Sequence, residues 1–417
     1  MVQTVAVIRA TLTATGAAST DFTKASFGTP TAAIIILCNA ASGANPITGA
    51  AMSVGFWDGA NQRVISNYMV DNVADSQTDR FSDDSYGAVI STNGGIVCAY
   101  TVSAITDGIR LTLSVDNTAG QRFCTVLLLS GVSAKAGSIV PGTTQNSTAN
   151  SASLGFAPKL IFFADIVGAA ADTNTTTAAL GFGFAEVAPL HRSIVMRASD
   201  AAAAEEASAY YSETRVGMAI SASAYSWGYE VTTFGADTFT LTSRDGAPGS
   251  RILFFLALGG ADLSYDVGSL STPTATGDAA IATDITPAAV LLAVSTIDEL
   301  ATIEVGVQAE GLMLGMGDAN GQFSHNYSLD DAATTMSTDS AAQAAQIVDL
   351  DDQNSGTRRD LVDATLALNA NDFTLSYSVV AAIARRGFWV AFSQAAAGGV
   401  SIPVAMYHYQ HHLGSMA

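Results

Sequence analysis

Charged side chains, and lysine above all, are scarce in this sequence. Only 13% of the 417 residues are charged, and lysine occurs three times, as Lys24, Lys135 and Lys159. Lys and Arg together number 17 against 37 Asp and Glu, which gives a formal net charge of −20. Phosphate backbones and anionic membranes are both held through Lys and Arg contacts. We therefore expect neither a nucleic-acid partner nor a membrane partner.

Cysteine and long apolar runs are also scarce. Cys38, Cys98 and Cys124 lie within apolar runs, and their spacing fits no metal site. We expect buried free thiols, with a Cys38–Cys124 or Cys98–Cys124 disulfide as the alternative. The apolar runs, such as 32–38 and 252–258, are far shorter than the ~20 residues that span a bilayer. No basic segment precedes an apolar one after Met1, so a protein made in the cytoplasm without a signal peptide is expected.

Motifs that carry catalytic chemistry are absent from the sequence. It has no nucleophile elbow, phosphate-binding loop, dinucleotide fingerprint or HExxH motif. The two internal histidines, His191 and His325, are not expected to be catalytic. The tail holds the other three of the five histidines, a set with the chemistry to bind a transition metal. These three residues are His408, His411 and His412. No carboxylate or cysteine accompanies them, so we expect a tail that docks on a neighbouring surface or frays.

Acidic residues occur in short runs that match no calcium-binding pattern. We interpret them as solvated loops: Asp83-Asp84, Asp330-Asp331 and Asp349/Asp351/Asp352. A glycosidase-type pair needs only closeness in space, so the sequence leaves that alternative open. The prediction is a non-enzymatic protein with no catalytic residues, no cofactor, no cofactor-binding site and no metal site.

The sequence contains three copies of one pattern of strand and turn motifs. Pro30, Pro158 and Pro287 each precede a dense apolar segment, and they lie 128 and 129 residues apart. Each unit closes with an alternating strand, a short turn, an arginine and a second dense apolar strand, which is typical of a β-hairpin. We take the arginines of this closing motif to be Arg122, Arg251 and Arg386.

The repeat predicts an all-β fold made of three tandem antiparallel β-sandwich, jelly-roll-like domains. The predicted bounds are 1–136, 137–267 and 268–402, followed by a C-terminal tail at 403–417. Each unit is expected to hold seven to nine strands, with Ala-rich stretches at 201–209 and 341–345 as a short helix or turn. Whether the three units form a pseudo-trimer or a row stays open.

The second unit and the segment after it contain a set of strand and turn motifs: Gly155–Lys159, Phe239–Leu241, Arg251, Leu256–Gly260 and Gly268–Gly277. Weaker copies occur elsewhere, and the third unit departs most, with AFSQA where the second has LALGG. This pattern resembles tandem repeats in structural proteins of tailed bacteriophages. The resemblance implies a virion component and no reaction chemistry.

The function expected is that of a structural protein on the exterior of a phage particle, as a capsid-decoration, head-fibre or tail-associated component. Its expected partners are other virion proteins and copies of itself. One alternative is a host-surface adhesin that binds glycan through exposed aromatics, although strand-spaced aromatics more often belong to a core. The candidates for that face are Trp57, Tyr210, Tyr211, Trp227 and Tyr229. A polysaccharide hydrolase with two facing carboxylates is the third hypothesis.

Overall fold

The computed structural model describes residues 3–13, 18–40, 47–70, 77–92, 95–116, 121–166, 173–176, 178–187, 190–198, 207–220, 225–245, 251–300, 303–305, 310–330, 338–354 and 357–394. Within these ranges every regular element is a β-strand, and the 33 strands fall into three sets of eleven. The prediction of an all-β fold is confirmed, whereas seven to nine strands per unit was too few.

The first unit holds β1 (Thr4–Thr13), β2 (Ser19–Thr23), β3 (Ala32–Cys38), β4 (Ile47–Thr48), β5 (Ala50–Trp57), β6 (Gln62–Met69), β7 (Thr78–Asp83), β8 (Ala88–Thr92), β9 (Gly95–Ile105), β10 (Gly108–Asp116) and β11 (Gln121–Ser130). The second holds β12 (Ser133–Ile139), β13 (Thr148–Asn150), β14 (Pro158–Ile166), β15 (Thr173–Thr176), β16 (Ala178–Glu186), β17 (His191–Ala198), β18 (Ala207–Ser212), β19 (Gly217–Ile220), β20 (Tyr225–Phe234), β21 (Phe239–Ser243) and β22 (Ile252–Gly259). The third holds β23 (Tyr265–Ser271), β24 (Gly277–Ala282), β25 (Pro287–Ser295), β26 (Ile303–Val305), β27 (Glu310–Asp318), β28 (Gly321–Leu329), β29 (Thr338–Gln343), β30 (Val348–Asn354), β31 (Thr357–Leu368), β32 (Asp372–Val379) and β33 (Arg386–Ser393).

Each unit is an antiparallel sandwich of a seven-stranded and a four-stranded sheet. In the first unit the large sheet has the order β1-β11-β3-β5-β6-β7-β15 and the small sheet the order β2-β10-β9-β8. The other two units repeat both orders strand for strand. The predicted tandem β-sandwich architecture is confirmed. β12 and β23, which cross positions 136/137 and 267/268, pair with the sheets of the units that follow.

The fourth strand of every unit leaves its own sandwich and joins a neighbour. β15 of the second unit pairs with β7 of the first, and β26 of the third pairs with β18 of the second. β4 of the first unit pairs with β29 of the third, which closes the circle. Because the three exchanges run in one rotational direction, the units form a ring with pseudo-three-fold symmetry. Of the two arrangements left open by the sequence, the structure has the pseudo-trimer.

The three large sheets enclose one shared hydrophobic core. It takes alternate residues of each sheet, for example Ile34, Phe162 and Leu291 from the three units. The opposite faces of the same sheets pack on the small sheets and form one separate core per sandwich. Aromatic stacking crosses between units in the shared core, where Phe182 and Phe388 have ring centroids 6.0 Å apart.

Burial on two faces explains the dense apolar segments that follow the three prolines. In β3, Ile34 and Ile36 face the shared core while Ile35 and Leu37 face the sandwich core. An antiparallel sheet covered on one side alternates apolar and polar residues, but a sheet covered on both sides needs apolar residues at consecutive positions. Each fully buried Leu or Ile stabilises the fold by roughly 1.5–3 kcal/mol relative to exposure.

Glycine within the large sheets marks where the second sheet crosses closely. A Cβ on Gly55 would lie 1.8 Å from the carbonyl oxygen of Gly87, and one on Gly315 would lie 1.9 Å from that of Ile347. Gly183 holds the same position in the second unit, facing the carbonyl oxygen of Val216. The glycine-rich string at 181–186 lies inside β16, and the one at 315–321 forms the end of β27 and the turn to β28.

Two further sequence interpretations were wrong. The Ala-rich stretch at 341–345 begins inside β29, and the described end of the other, Ala207–Ala209, lies in β18. Strand pairing also shows that the third closing arginine was assigned one position too late. The equivalent positions of the three closing strands are Leu127, Leu256 and Val390, because they pair with equivalent residues of the neighbouring strand. The arginines five residues before these positions are Arg122, Arg251 and Arg385, so Arg385 takes the place of Arg386.

Candidate functional site

The two internal histidines are buried and hydrogen-bonded. His191 is 4% exposed, and one of its ring nitrogens lies 3.0 Å from the carbonyl oxygen of Val231. His325 sits between the first and third units, with Nε2 2.7 Å from Oγ1 of Thr125 and Nδ1 3.2 Å from Sγ of Cys38. Burial lowers the pKa of both imidazoles, that of His325 to about 3.

The His325–Cys38 contact lacks the charge state of a nucleophilic pair. Burial raises the pKa of the Cys38 thiol to about 12 while it lowers that of His325. A thiolate–imidazolium pair requires the opposite order of acidities. Cys38 and Thr125 are 0% exposed and His325 is 1% exposed, so the group is a buried, hydrogen-bonded polar island between the first and third units. All three cysteines are buried free thiols, as predicted.

The prediction of solvated loops was wrong for most residues of the acidic runs, which are buried; Asp84 is exposed in a bend, and Asp331 lies outside the described residues. Asp349, Asp351 and Asp352 lie in β30 and are 1–3% exposed. Asn326 donates through Nδ2 to Oδ2 of Asp351 at 2.5 Å and to the carbonyl oxygen of Asp349 at 2.7 Å. Asp83 and Asp330 are also buried. The described residues hold no group of three or more His, Cys, Asp or Glu arranged to bind a metal ion.

Four of the five aromatic residues proposed for a glycan-binding face are buried. Trp57, Tyr210, Tyr211 and Tyr229 are at most 8% exposed. Trp227 is partly exposed, and the Arg251 guanidinium lies 4.1 Å from its ring centroid. The core interpretation is confirmed for the four buried rings. The tail histidines His408, His411 and His412 lie outside the described residues.

A buried carboxyl in the second sandwich escaped the sequence analysis. Asp165 is 4% exposed and occupies the position that Leu37 and Val294 hold in the other units. Burial raises the pKa of its carboxyl to about 7, against the opposing effects of Arg251, the Met218 backbone and Arg80. Its place in the dense apolar segment is visible in the sequence as a single acid among hydrophobic residues.

Polar side chains line three equivalent grooves, one between each pair of units. In two of these grooves the first strand of one unit meets the β5–β6 turn, or its counterpart, of the unit before it. The Ala136 N–H donates to Asp58 Oδ2 at 2.9 Å in one groove, and the Val7 N–H donates to Asp318 Oδ2 at 3.0 Å in another. In the groove between the second and third units, the Tyr265 hydroxyl donates to the carbonyl oxygen of Lys159 at 2.9 Å.

The grooves differ in the side chains that fill them. Between the second and third units, Arg192 Nε donates to Ser269 Oγ at 2.7 Å, and Ser269 donates to Glu213 Oε1 at 2.5 Å. Between the third and first units, Arg9 covers Phe123, with its guanidinium carbon 3.8 Å from the ring centroid. Between the first and second units, the groove keeps a cavity of about 270 Å³ lined by Arg63 and Lys135, among others.

Comparison of the chain with protein-family models, with curated protein sequences and with solved structures gave no match. In the described part of the chain, no helix is long and apolar enough to cross a membrane.

Proposed function

We propose that the protein is a non-enzymatic structural component of a tailed-bacteriophage virion, displayed on the outside of the particle. It acts by protein–protein association, as a capsid-decoration, head-fibre or tail-associated protein. The observation that carries the proposal is the ring of three equivalent sandwiches closed by strand exchange. One chain thereby presents three similar faces about one axis, an arrangement that matches a binding position of local three-fold symmetry on a particle.

Charge supports placement on the exterior. The net charge of −20 opposes contact with packaged DNA and keeps separate copies apart in solution. The described aromatics give little support to the alternative of a glycan-binding adhesin, because four of the five proposed rings are buried.

Immunogold labelling of intact particles tests the proposal. An antibody raised against the full chain is applied to particles of the virus that carries the gene and, as the control, to particles grown without that gene product. Gold on the outside of the head or on the tail, absent from the control, is the expected result. Label that is absent from intact particles, or that appears only after the particles are opened, would contradict it.

A further inference from the structure

The groove between the first and second units holds an unfilled copy of a carboxylate-binding arrangement. Its cavity of about 270 Å³ is lined by polar side chains, two of them cationic, and by a few apolar groups. This volume corresponds to roughly nine water molecules of liquid, which is room for one sugar ring. The lining includes Asn61, Arg63, Lys135, Ser138, Ser153 and Phe255.

The groove between the second and third units shows what the arrangement holds when it is filled. Arg63 and Arg192 are equivalent by strand pairing, and so are Ser138 and Ser269. In the filled groove the Glu213 carboxylate accepts a hydrogen bond from Ser269 and lies 3.7 Å from Arg192 Nε. The protein thus supplies its own carboxylate to the arginine–serine pair.

The open groove keeps the backbone contacts of its arginine but has a shorter acid. Nη1 of Arg63 donates to the carbonyl oxygens of Gln62 and Asp84, as Nη1 of Arg192 does to those of His191 and Glu213. Asp84 stands where the second unit has Glu213, and its side chain is one methylene shorter. The buried Nε of Arg63 has no hydrogen-bond partner among the described residues, so the bond from Arg192 to Ser269 has no counterpart from Arg63 to Ser138.

The open and the filled groove also differ in the charge of one side chain. Lys135 lines the open cavity, whereas strand pairing places Asp266 at the corresponding position of the third unit. The Lys135 ammonium group makes no hydrogen bond or ion pair within the described part of the chain. Two of the few cations of an acidic protein therefore line one small cavity, which favours a ligand with a single negative charge.

We propose that this cavity binds the carboxylate of an acidic sugar, of the hexuronic acid class. Arg63 and Lys135 hold the carboxylate, since a guanidinium pairs well with that group. The Ser138 hydroxyl is available to the sugar hydroxyls, whereas the Asn61 amide donates to Asp58 and the Ser153 hydroxyl donates to Asp237, which leaves their oxygens as acceptors. For a ligand of this size a dissociation constant on the order of 1 mM is expected.

The binding test uses the purified full chain, and it does not depend on the proposed virion role. Calorimetric titration with glucuronate is compared with titration by glucose, which lacks the carboxylate, and by acetate, which lacks the ring. Saturable binding of glucuronate, with glucose and acetate at least about tenfold weaker, is the expected result. Equal binding of acetate would overturn the sugar assignment in favour of a protein carboxylate, and failure of glucuronate to bind would overturn the site.

Variants locate the site. Asp84→Glu should weaken glucuronate binding at least about tenfold, because the longer acid reaches Arg63 as Glu213 reaches Arg192. The control variant Asp84→Asn only removes a charge and should not weaken binding.

Lys135→Ala should weaken glucuronate binding about three- to tenfold. The control variant Lys24→Ala removes an equal charge elsewhere and should leave binding unchanged. Thermal unfolding verifies that each variant is folded. Wild-type affinity in both Asp84→Glu and Lys135→Ala would overturn the assignment.

Discussion

At the scale of single residues, the fold depends on two kinds of position: those where neighbouring backbone leaves no room for a side chain, and those where an ionisable group is buried. Gly55 is the clearest forbidden position, because the backbone of Gly87 passes directly over it. Asp165 is the clearest enclosed charge, since its counterparts in the other units are apolar. Both lie on large sheets that are covered on both faces, so neither can relax toward solvent.

Gly55→Ala should destabilise the protein by at least about 3 kcal/mol, because the new methyl group would force the two sheets apart. Urea unfolding measures the change. Gly59→Ala is the matched control: Gly59 has a φ of +94° but open space around it, so only the backbone strain of about 1 kcal/mol is expected. Similar losses in the two variants would contradict the close crossing of the sheets.

Asp165 should make stability depend on pH near neutrality. Its folded pKa, raised to about 7, exceeds the value of about 4 in an unfolded chain. The stability it contributes is therefore fully present below about pH 4 and is lost as the pH rises through 7, by at most about 1.4 kcal/mol per pH unit. Unfolding of Asp165→Asn followed from pH 4 to 8 should lack this decline.

Asp21→Asn provides the contrast for the Asp165 measurement. The pKa of Asp21 is lowered by its hydrogen bond to Arg110, so its contribution is lost only as the pH falls into the acid range. A decline between about pH 4 and 7 that persists unchanged in Asp165→Asn would show that another group causes it.

At the scale of elements, the exchanged fourth strands connect the units. β15 is the longest of the three, with four residues paired to β7. It lies at the edge of its sheet, so along the strand N–H groups alternate between pointing to β7 and pointing away. Proline removes the N–H, and it is tolerated at an edge only where that group faces away from the ladder.

Asn174→Pro and Thr175→Pro are therefore expected to behave differently. One of the two substitutions removes a hydrogen bond to β7 and should lower the free energy of unfolding by about 3 kcal/mol. The other substitution, at an N–H that points away from β7, should lower it much less. Chemical denaturation of the two variants measures the difference. Equal and small effects in both would mean that the exchanged strand contributes little to holding the units together.

Much of the element pattern could be predicted from the sequence, because it depends on local signals. The prolines and the apolar runs after them mark strands, since proline tolerates only the start of a strand or a bulge, as at Pro158. The exchanged strands could not be predicted, because β4, β15 and β26 are short and their partners lie in another unit. The candidate groove was missed for the same reason: Arg63 and Lys135 are 72 positions apart, and only the ring brings them together.

At the scale of the whole molecule, the exchange and the shared core make the three units one structure. The inner face of each large sheet is apolar, and a unit alone would expose that face to water. The Gln3 amide adds to closure between the first and third units, because its Nε2 donates to the carbonyl oxygen of Ser393 at 2.8 Å. The ring is thus closed by contacts between the first and third units.

Small-angle X-ray scattering of the purified chain tests the closed ring most directly. A compact protein of this length should have a radius of gyration of about 22 Å. Three sandwiches of equal size arranged in a row, each about 14 Å in radius of gyration, would give about 33 Å. We predict a value near 22 Å, and a value above 30 Å would contradict the ring.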